Sequence, residues 1–168
     1  MAHRVRLLRE DGTFAEFFGP ETVLLPVPGS TPRRDDTTLW VGERICHALL
    51  EEGLAEAVMP DVRRVRQVPK SAYQAPGERP NARTHYDTIS VAPQLINPAQ
   101  ILVVDDIVTK GNTLLGCASR AAAAFPQAQI RAFAMVRTMG LVADIDRQLA
   151  PCVGRITRSP GDEARRDP

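Results

Sequence analysis

One segment constrains the fold of this chain more than any other: an apolar run that ends in two adjacent acids. Residues 101–104 read Ile-Leu-Val-Val, and Asp105 and Asp106 follow directly. An apolar run this short predicts a buried strand rather than a helix. The sequence Thr-Lys-Gly-Asn-Thr comes next, at residues 109–113, and opens a predicted helix over 113–125. The segment therefore predicts a strand, a loop and a helix in that order, the unit from which parallel sheets are built.

The rest of the chain alternates strand and helix patterns around this segment. We predict strands at 23–27, 58–59, 62–68, 88–91 and 130–136. We predict helices at 39–52, with Thr37 or Thr38 as the cap, and at 142–149. This alternation predicts an α/β fold with a mainly parallel central sheet flanked by helices.

The chain divides into four parts around this predicted core. Residues 1–20 predict a hairpin that turns at Asp11 and Gly12, and residues 21–140 form the core. Residues 141–158 form a short helix or strand extension, and residues 159–168 are predicted to be disordered. Within the core, residues 69–86 predict a long functional or disordered loop, in which His85 and Tyr86 begin a strand.

Charge and cysteine content narrow the functional class. The net charge is +1, so no overall field draws the protein to nucleic acid or to a membrane, although Arg63, Arg64 and Arg66 could form a small basic strip. The three cysteines form no CxxC pair, which disfavours a zinc ribbon and a disulfide framework. The N-terminal sequence does not fit a secretory signal, and no apolar run is long enough to span a membrane. We expect a cytoplasmic protein with no membrane partner, and a nucleic-acid partner is disfavoured rather than ruled out.

The loop after the two acids has the chemistry of an anion site. A glycine-containing turn at a helix start presents free N–H groups and the positive end of the helix dipole. Thr109 and Thr113 add hydroxyl donors. Asp105 and Asp106 would repel a second phosphate beside them, but they suit hydroxyl groups or a metal-bound group. The segment therefore predicts a ligand with one phosphate and a vicinal diol, a description that ribose 5-phosphate fits.

Residues 101–113 resemble the signature segment of the type I phosphoribosyltransferases. The resemblance implies that Asp105 and Asp106 hold the ribose 2′- and 3′-hydroxyls. It also implies that the 5′-phosphate is cradled by Thr109, Lys110, Gly111, Asn112 and Thr113. Thr109 stands where purine-salvage members carry an aspartate, which favours an amido- or orotate-like member. Lys110 and Asn112 replace small residues, so each could change the phosphate affinity or add a contact.

The resemblance extends to the ComF-like branch, the competence protein F or amidophosphoribosyltransferase-like members. Such proteins have an early Pro-Val-Pro, found here at residues 26–28, and a long loop before the signature. The resemblance implies that Pro28, Gly29 and Ser30 bind pyrophosphate. It also implies that Lys70 and Arg79, on the long loop, act in catalysis as that loop closes over the site.

One departure concerns the part that binds the acceptor. ComF-like proteins often begin with a cysteine-rich zinc-binding segment, and this sequence has none. The type I phosphoribosyltransferase fold is therefore expected here with a minimal hood, formed by residues 1–20 or by the segment after Gly140.

The resemblance implies transfer of phosphoribose from 5-phosphoribosyl-1-pyrophosphate to an unidentified nitrogen acceptor, with release of pyrophosphate. Mg²⁺ would be held mainly by the substrate, with Asp105 and Asp106 reaching it only through water and no direct protein ligand. The alternative is a non-catalytic module of the same fold that senses phosphoribosyl pyrophosphate or nucleotides, or assists DNA uptake. A flavodoxin-like response domain fits less well, because its lone acid is not followed by such a cradle. A homodimer is compatible with either function.

Overall fold

The computed structural model describes residues 1–35, 37–59, 62–69, 79–92, 97–139 and 150–167. The predicted helix at 142–149 and the predicted catalytic residue Lys70 lie outside these residues. In the described part of the chain, no helix is both long enough and apolar enough to cross a membrane.

The described chain contains helices, strands and one short 3₁₀ turn. The helices are α1 (Ala2–Glu10), α2 (Val41–Glu51), α3 (Ala82–Thr88) and α4 (Asn112–Ala124). The strands are β1 (Thr22–Pro26), β2 (Ala57–Val58), β3 (Val62–Arg64), β4 (Ile89–Val91), β5 (Gln100–Val108), β6 (Gln129–Arg137), β7 (Arg155–Arg158) and β8 (Ala164–Asp167). The 3₁₀ turn is Pro160–Asp162.

The central sheet has four strands in the order β2-β1-β5-β6, and each neighbouring pair is parallel. Two antiparallel pairs, β3 with β4 and β7 with β8, lie outside it. The structure thus confirms the predicted α/β fold with a mainly parallel central sheet flanked by helices. Because parallel strands end at the same edge, the segments after β1 and β5 emerge side by side.

The middle of β5 is the centre of the hydrophobic core. Its four apolar residues, 101–104, are all fully buried. Successive strand residues face opposite sides of the sheet. Ile101 and Val103 accordingly belong to the core cluster that contains residues of α4, and Leu102 and Val104 to the cluster that contains residues of α1 and α2. The sheet therefore has helices on both faces.

The predicted N-terminal hairpin is wrong, because residues 2–10 form helix α1. The alternating charged and apolar residues at 4–8 fit a strand, but helical spacing also brings Val5 and Leu8 to one side. Val5 is buried, and both residues pack into the core cluster that contains Phe14 and Phe18. An ion pair of 3.0 Å from Arg6 to Glu10 adds support along the helix.

Several other predicted elements are present with shifted ends. The helix predicted at 39–52 is α2, but it begins after Trp40 and no side chain caps it. Thr37 and Thr38 instead donate hydrogen bonds to the Asp35 carboxylate. The strand predicted at 62–68 is confined to the three residues of β3.

The prediction that His85 and Tyr86 start a strand is wrong, because both lie on α3. The Asn81 side chain starts this helix by accepting a hydrogen bond of 2.9 Å from the Thr84 N–H. The strand predicted at 88–91 begins one residue later, as β4.

The predicted disordered tail, 159–168, is also corrected by the structure. Its residues 160–162 form the 3₁₀ turn and its residues 164–167 form β8, which pairs with β7. Bonds to distant parts of the chain hold this hairpin. Arg166 donates to the carbonyls of Val108 at 3.1 Å and of Thr138 at 2.6 Å. Such bonds stabilise a segment whose own composition is polar and turn-rich.

Candidate functional site

Two loops form the candidate site at the carboxyl edge of the sheet. Residues 27–30, the β1 loop, follow β1, and residues 109–113, the β5 loop, follow β5. The last residue of β1, Pro26, pairs with Val104, one residue before the two acids. This register places the β1 loop directly beside Asp105 and Asp106.

Two carbonyl groups at the end of the β1 loop accept hydrogen bonds from the protein. Arg64 Nε donates to the Gly29 carbonyl at 2.9 Å, and the Val68 N–H donates to the Ser30 carbonyl at 2.8 Å. The N–H groups of Gly29 and Ser30, by contrast, donate no hydrogen bond to any described residue. The loop thus presents free donors at the edge of the sheet, as a pyrophosphate-binding loop requires.

The start of this loop is fixed by tight packing against α2. Trp40 Nε1 donates to the Val27 carbonyl at 2.6 Å. A Cβ atom on Gly42 would lie 2.9 Å from the same carbonyl oxygen, so only glycine allows α2 to approach so closely. Pro28, the third predicted residue of this loop, is buried.

The β5 loop presents a longer series of free donors. Among the described residues, none accepts a hydrogen bond from a backbone N–H of residues 109–114. The first bond of α4 joins the Leu115 N–H to the Gly111 carbonyl at 2.8 Å. Gly111 has a φ of 97°, a left-handed conformation that glycine adopts without strain. The unpaired amides and the positive end of α4 give this loop the chemistry that suits an anion.

The side chains of the β5 loop differ in whether they are available to a ligand. Thr109 and Lys110 are exposed, and Lys110 forms a 3.7 Å ion pair with Glu163. The Asn112 side chain instead bonds to the protein, donating to the Pro80 carbonyl at 3.0 Å and accepting from the Ala164 N–H at 2.6 Å. The Asn112 side chain is therefore committed to protein contacts, and only its backbone N–H remains for a ligand.

The two acids lie together at the end of β5. Asp105 accepts a hydrogen bond of 2.9 Å from the Asp106 N–H, and Asp106 accepts one of 2.8 Å from the Ile107 N–H. Burial, with a contribution from the Asp106 charge, raises the pKa of Asp105 to about 7, and the nearby Arg64 opposes this rise. A ligand group that donates to the carboxylate, or a cation, would lower this pKa again and favour the ionised form.

Behind the β5 loop lies a buried polar chain that sequence analysis missed. Thr113 Oγ1 is 3.4 Å from His85 Nε2, and His85 Nδ1 is 3.3 Å from Arg64 Nη2. His85 is only 3% exposed and Arg64 only 4%. Burial, and then the Arg64 charge, lowers the pKa of His85 to about 4, so the imidazole is neutral at neutral pH.

The burial of Arg64 corrects the predicted basic strip, because only Arg63 and Arg66 of that set are exposed. A period of two along β3 would have placed Arg64 on the same face as the buried Val62. That spacing was the available signal in the sequence. His85 gave no comparable signal, since it was assigned to a strand rather than to α3.

A small open cleft brings most of the predicted site residues together. Arg79, Asp105 and residues 107–114 line it. Within the described residues, no group of three or more His, Cys, Asp or Glu side chains is arranged to hold a metal ion. Asp105 and Asp106 are nevertheless oxygen ligands of the kind that Mg²⁺ prefers, and they suit an ion that arrives with most of its ligands on a substrate.

No protein-family model matches this chain, and no curated protein matches it. The features that bear on function are therefore those of the site itself: the two amide-lined loops, the two acids and the buried polar chain behind them.

Proposed function

We propose that this protein binds 5-phosphoribosyl-1-pyrophosphate with Mg²⁺ and transfers its phosphoribosyl group to a nitrogen acceptor. The observation that carries the proposal is the pair of loops with unpaired amides on adjacent strand ends, with two acids next to them. Phosphoribosyl pyrophosphate has the matching order of groups: a 5′-phosphate, a vicinal diol and a pyrophosphate. The arrangement supports a type I phosphoribosyltransferase fold of the ComF-like branch.

Each part of the site takes one part of this substrate. The N–H groups of residues 109–114 bind the 5′-phosphate, and those of Gly29 and Ser30 bind pyrophosphate. Asp105 and Asp106 accept hydrogen bonds from the ribose hydroxyls. Arg79 lines the cleft, and its charge would offset the charge that develops on the leaving group. Lys70 is proposed for the same role from the sequence alone.

The reaction exchanges one bond at the anomeric carbon for another. The bond from this carbon to the pyrophosphate oxygen breaks, and its electron pair leaves with pyrophosphate. The lone pair of the acceptor nitrogen forms the new bond, and the proton of that nitrogen passes to solvent. Positive charge develops on the ribose in the transition state, when the old bond is breaking and the new bond is not yet formed. The carboxylates of Asp105 and Asp106 therefore stabilise the transition state more than the ground state.

Mg²⁺ bound with the substrate would offset the charge of the pyrophosphate as it leaves. Asp105 and Asp106 would hold the ion through water molecules, since the proposed ribose contacts occupy their oxygen atoms.

The three cysteines agree with a cytoplasmic location, because all are free and two of them, Cys46 and Cys117, are buried thiols.

Isothermal titration with phosphoribosyl pyrophosphate and Mg²⁺ tests the proposal. Wild type should bind, and the Asp105→Asn, Asp106→Asn double variant should bind at least about tenfold more weakly. Glu51→Gln, a substitution of an exposed acid on α2, is the matched control and should bind like wild type. Absence of heat from wild type at millimolar ligand would refute the proposal.

Turnover distinguishes the enzyme from a module that only senses the same ligand. Release of pyrophosphate in the presence of ammonia or another nitrogen nucleophile supports the enzyme. Tight binding with the ligand recovered intact, whatever nitrogen nucleophile is supplied, supports the sensor.

A further inference from the structure

Arg64 contacts the β1 loop directly, at Gly29, and the β5 loop through His85. Its guanidinium donates to the Gly29 carbonyl at 2.9 Å, to Thr88 Oγ1 at 2.7 Å and to His85 Nδ1 at 3.3 Å. Among the described residues no carboxylate forms a salt bridge with it. The hydrogen-bond partners of this buried cation are all neutral, and Asp105 is a nearby acid whose charge interacts with it.

The donor groups of the buried polar chain, which runs from Arg64 through His85 to Thr113, determine the direction of its hydrogen bonds. A guanidinium has N–H donors and no acceptor, so His85 Nδ1 must be the acceptor and carries no hydrogen. A neutral imidazole without a hydrogen on Nδ1 carries it on Nε2. His85 Nε2 then donates to Thr113 Oγ1, 3.4 Å away. The Thr113 oxygen accepts this bond, which leaves its own O–H free to donate.

We propose that Arg64 and His85 are positioning residues that orient the Thr113 hydroxyl as a donor to the phosphate bound in the β5 loop. The inference rests on the proposed function, because it assigns this hydroxyl to the 5′-phosphate of the substrate. Each bond in the chain polarises the next, so the charge of Arg64 strengthens the Thr113 donor without touching the ligand. Neutral His85 transmits this effect.

The structure holds the imidazole in place through close helix packing. A Cβ atom on Gly116 of α4 would lie 2.6 Å from His85 Cβ and 2.7 Å from the Ala82 carbonyl oxygen. Because α3 and α4 approach this closely, His85 has little freedom to leave Thr113. The same Arg64 side chain binds the Gly29 carbonyl, so one residue organises the β1 loop and the β5 loop together.

This direction of bonding excludes a role for His85 as a general base. A base needs a bare nitrogen facing the substrate, but the bare Nδ1 faces Arg64 and the nitrogen towards the site carries a hydrogen. The low pKa of His85, about 4, agrees with a ring that stays neutral.

Nitrogen-15 NMR of the unliganded wild-type protein tests the bonding direction without any ligand. At pH 7 the His85 ring should be neutral with its hydrogen on Nε2. A hydrogen on Nδ1, or a protonated ring, would overturn the inference whether or not the proposed substrate binds.

A double-mutant cycle tests the effect on phosphate binding, with ribose 5-phosphate as the probe in isothermal titration. His85→Phe and Thr113→Val should each weaken binding by about five- to tenfold. The double variant should bind no more weakly than Thr113→Val alone, because His85 acts only through that hydroxyl. Independent losses that multiply in the double variant would show a general structural effect and contradict the inference.

His85→Gln keeps the assignment testable if His85→Phe does not fold. The amide of glutamine can place a donor near the position of Nε2, so this variant should bind ribose 5-phosphate within about threefold of wild type. A loss as large as that expected for His85→Phe would contradict the proposal that His85 orients the Thr113 hydroxyl. If wild type fails to bind ribose 5-phosphate, the phosphate role of Thr113 and the proposed function both fail, while the NMR result still decides the direction of the bonds.

Discussion

Asn112 accepts a hydrogen bond of 2.6 Å from the backbone N–H of Ala164, which attaches the first turn of α4 to strand β8. The same side chain donates to Glu163 Oε2 at 3.1 Å and to the Pro80 carbonyl at 3.0 Å. One amide therefore joins the β5 loop, the C-terminal hairpin and the segment that leads into α3. Its three bonds use nearly all of its hydrogen-bonding capacity.

Asn112→Ala should reduce the free energy of unfolding by about 2–4 kcal/mol, because it leaves the buried Ala164 N–H without a partner. Urea unfolding measures this loss. Asn97→Ala, at an exposed asparagine, is the control and should cost less than about 0.5 kcal/mol. Equal losses in the two variants would mean that Asn112 does not hold the hairpin.

Gly111→Ala and Gly12→Ala form a matched pair, since the two glycines have φ angles of 97° and 93°. Both variants should pay about 1 kcal/mol for the left-handed backbone. Gly111→Ala should cost about 1 kcal/mol more, because its Cβ would meet Ile156 Cδ1 at 2.9 Å, whereas among the described residues no contact within 4 Å awaits a Cβ on Gly12. Thermal unfolding compares them.

The cost of Gly111→Ala should be about 1 kcal/mol smaller when it is made in the Ile156→Ala variant than when it is made in wild type, because the contact with Ile156 is then absent. If the extra cost persists, the hairpin is not what constrains Gly111.

Gly116→Ala should destabilise the protein by about 2 kcal/mol, although alanine is the better helix former by about 1 kcal/mol. The new Cβ would lie 2.7 Å from the Ala82 carbonyl oxygen, a backbone atom that cannot rotate away. Ser119→Ala, at a half-buried position on the same helix, should be neutral or stabilising. A rise in the melting temperature of Gly116→Ala would disprove the close packing of α3 on α4.

Asp105→Asn should make the stability of the protein less dependent on pH. The folded-state pKa of Asp105, about 7, lies above the ordinary value of 3.8, so the pH-dependent cost of burying this carboxyl is absent well below pH 4, where it is protonated in both states. The cost grows as the pH rises, until the group is ionised in both states. Between pH 5 and pH 8, the variant should therefore gain about 2–3 kcal/mol of stability relative to wild type.

Urea unfolding of wild type and Asp105→Asn at these two pH values measures the gain. Glu51→Gln, at an exposed acid, controls for the loss of one negative charge. A difference between wild type and Asp105→Asn that does not change with pH would contradict the raised pKa.

The part of the fold that the sequence predicts best is the part whose signal is local. The apolar residues 101–104 and the glycine at 111 define β5, the β5 loop and α4 within a single short stretch. At the N-terminus the local pattern was ambiguous, since Val5 shares a face with Leu7 at the period of a strand and with Leu8 at the spacing of a helix. The contact that decides for α1 is with a core that includes Phe133, far along the chain.

The parts of the site that sequence analysis missed depend on contacts between distant residues. Arg64 is buried because Gly29, His85 and Thr88 supply its acceptors, and these lie 21 to 35 residues away in sequence. The hairpin of β7 and β8 is likewise held by Val108 and Asn112. The composition of residues 159–168 does not reveal these contacts, and by itself it indicated disorder. Neither arrangement has a local sequence signature.

The attachment of Asn112 to Ala164 also has a consequence for truncated forms of the chain. The two residues are 52 positions apart, and the sheet strands that carry the acids are complete long before Ala164 is added. A chain that ends before Ala164 can thus form the sheet while its β5 loop still lacks the contact with the hairpin. Truncation there would leave a folded sheet whose first turn of α4 is not attached at Asn112.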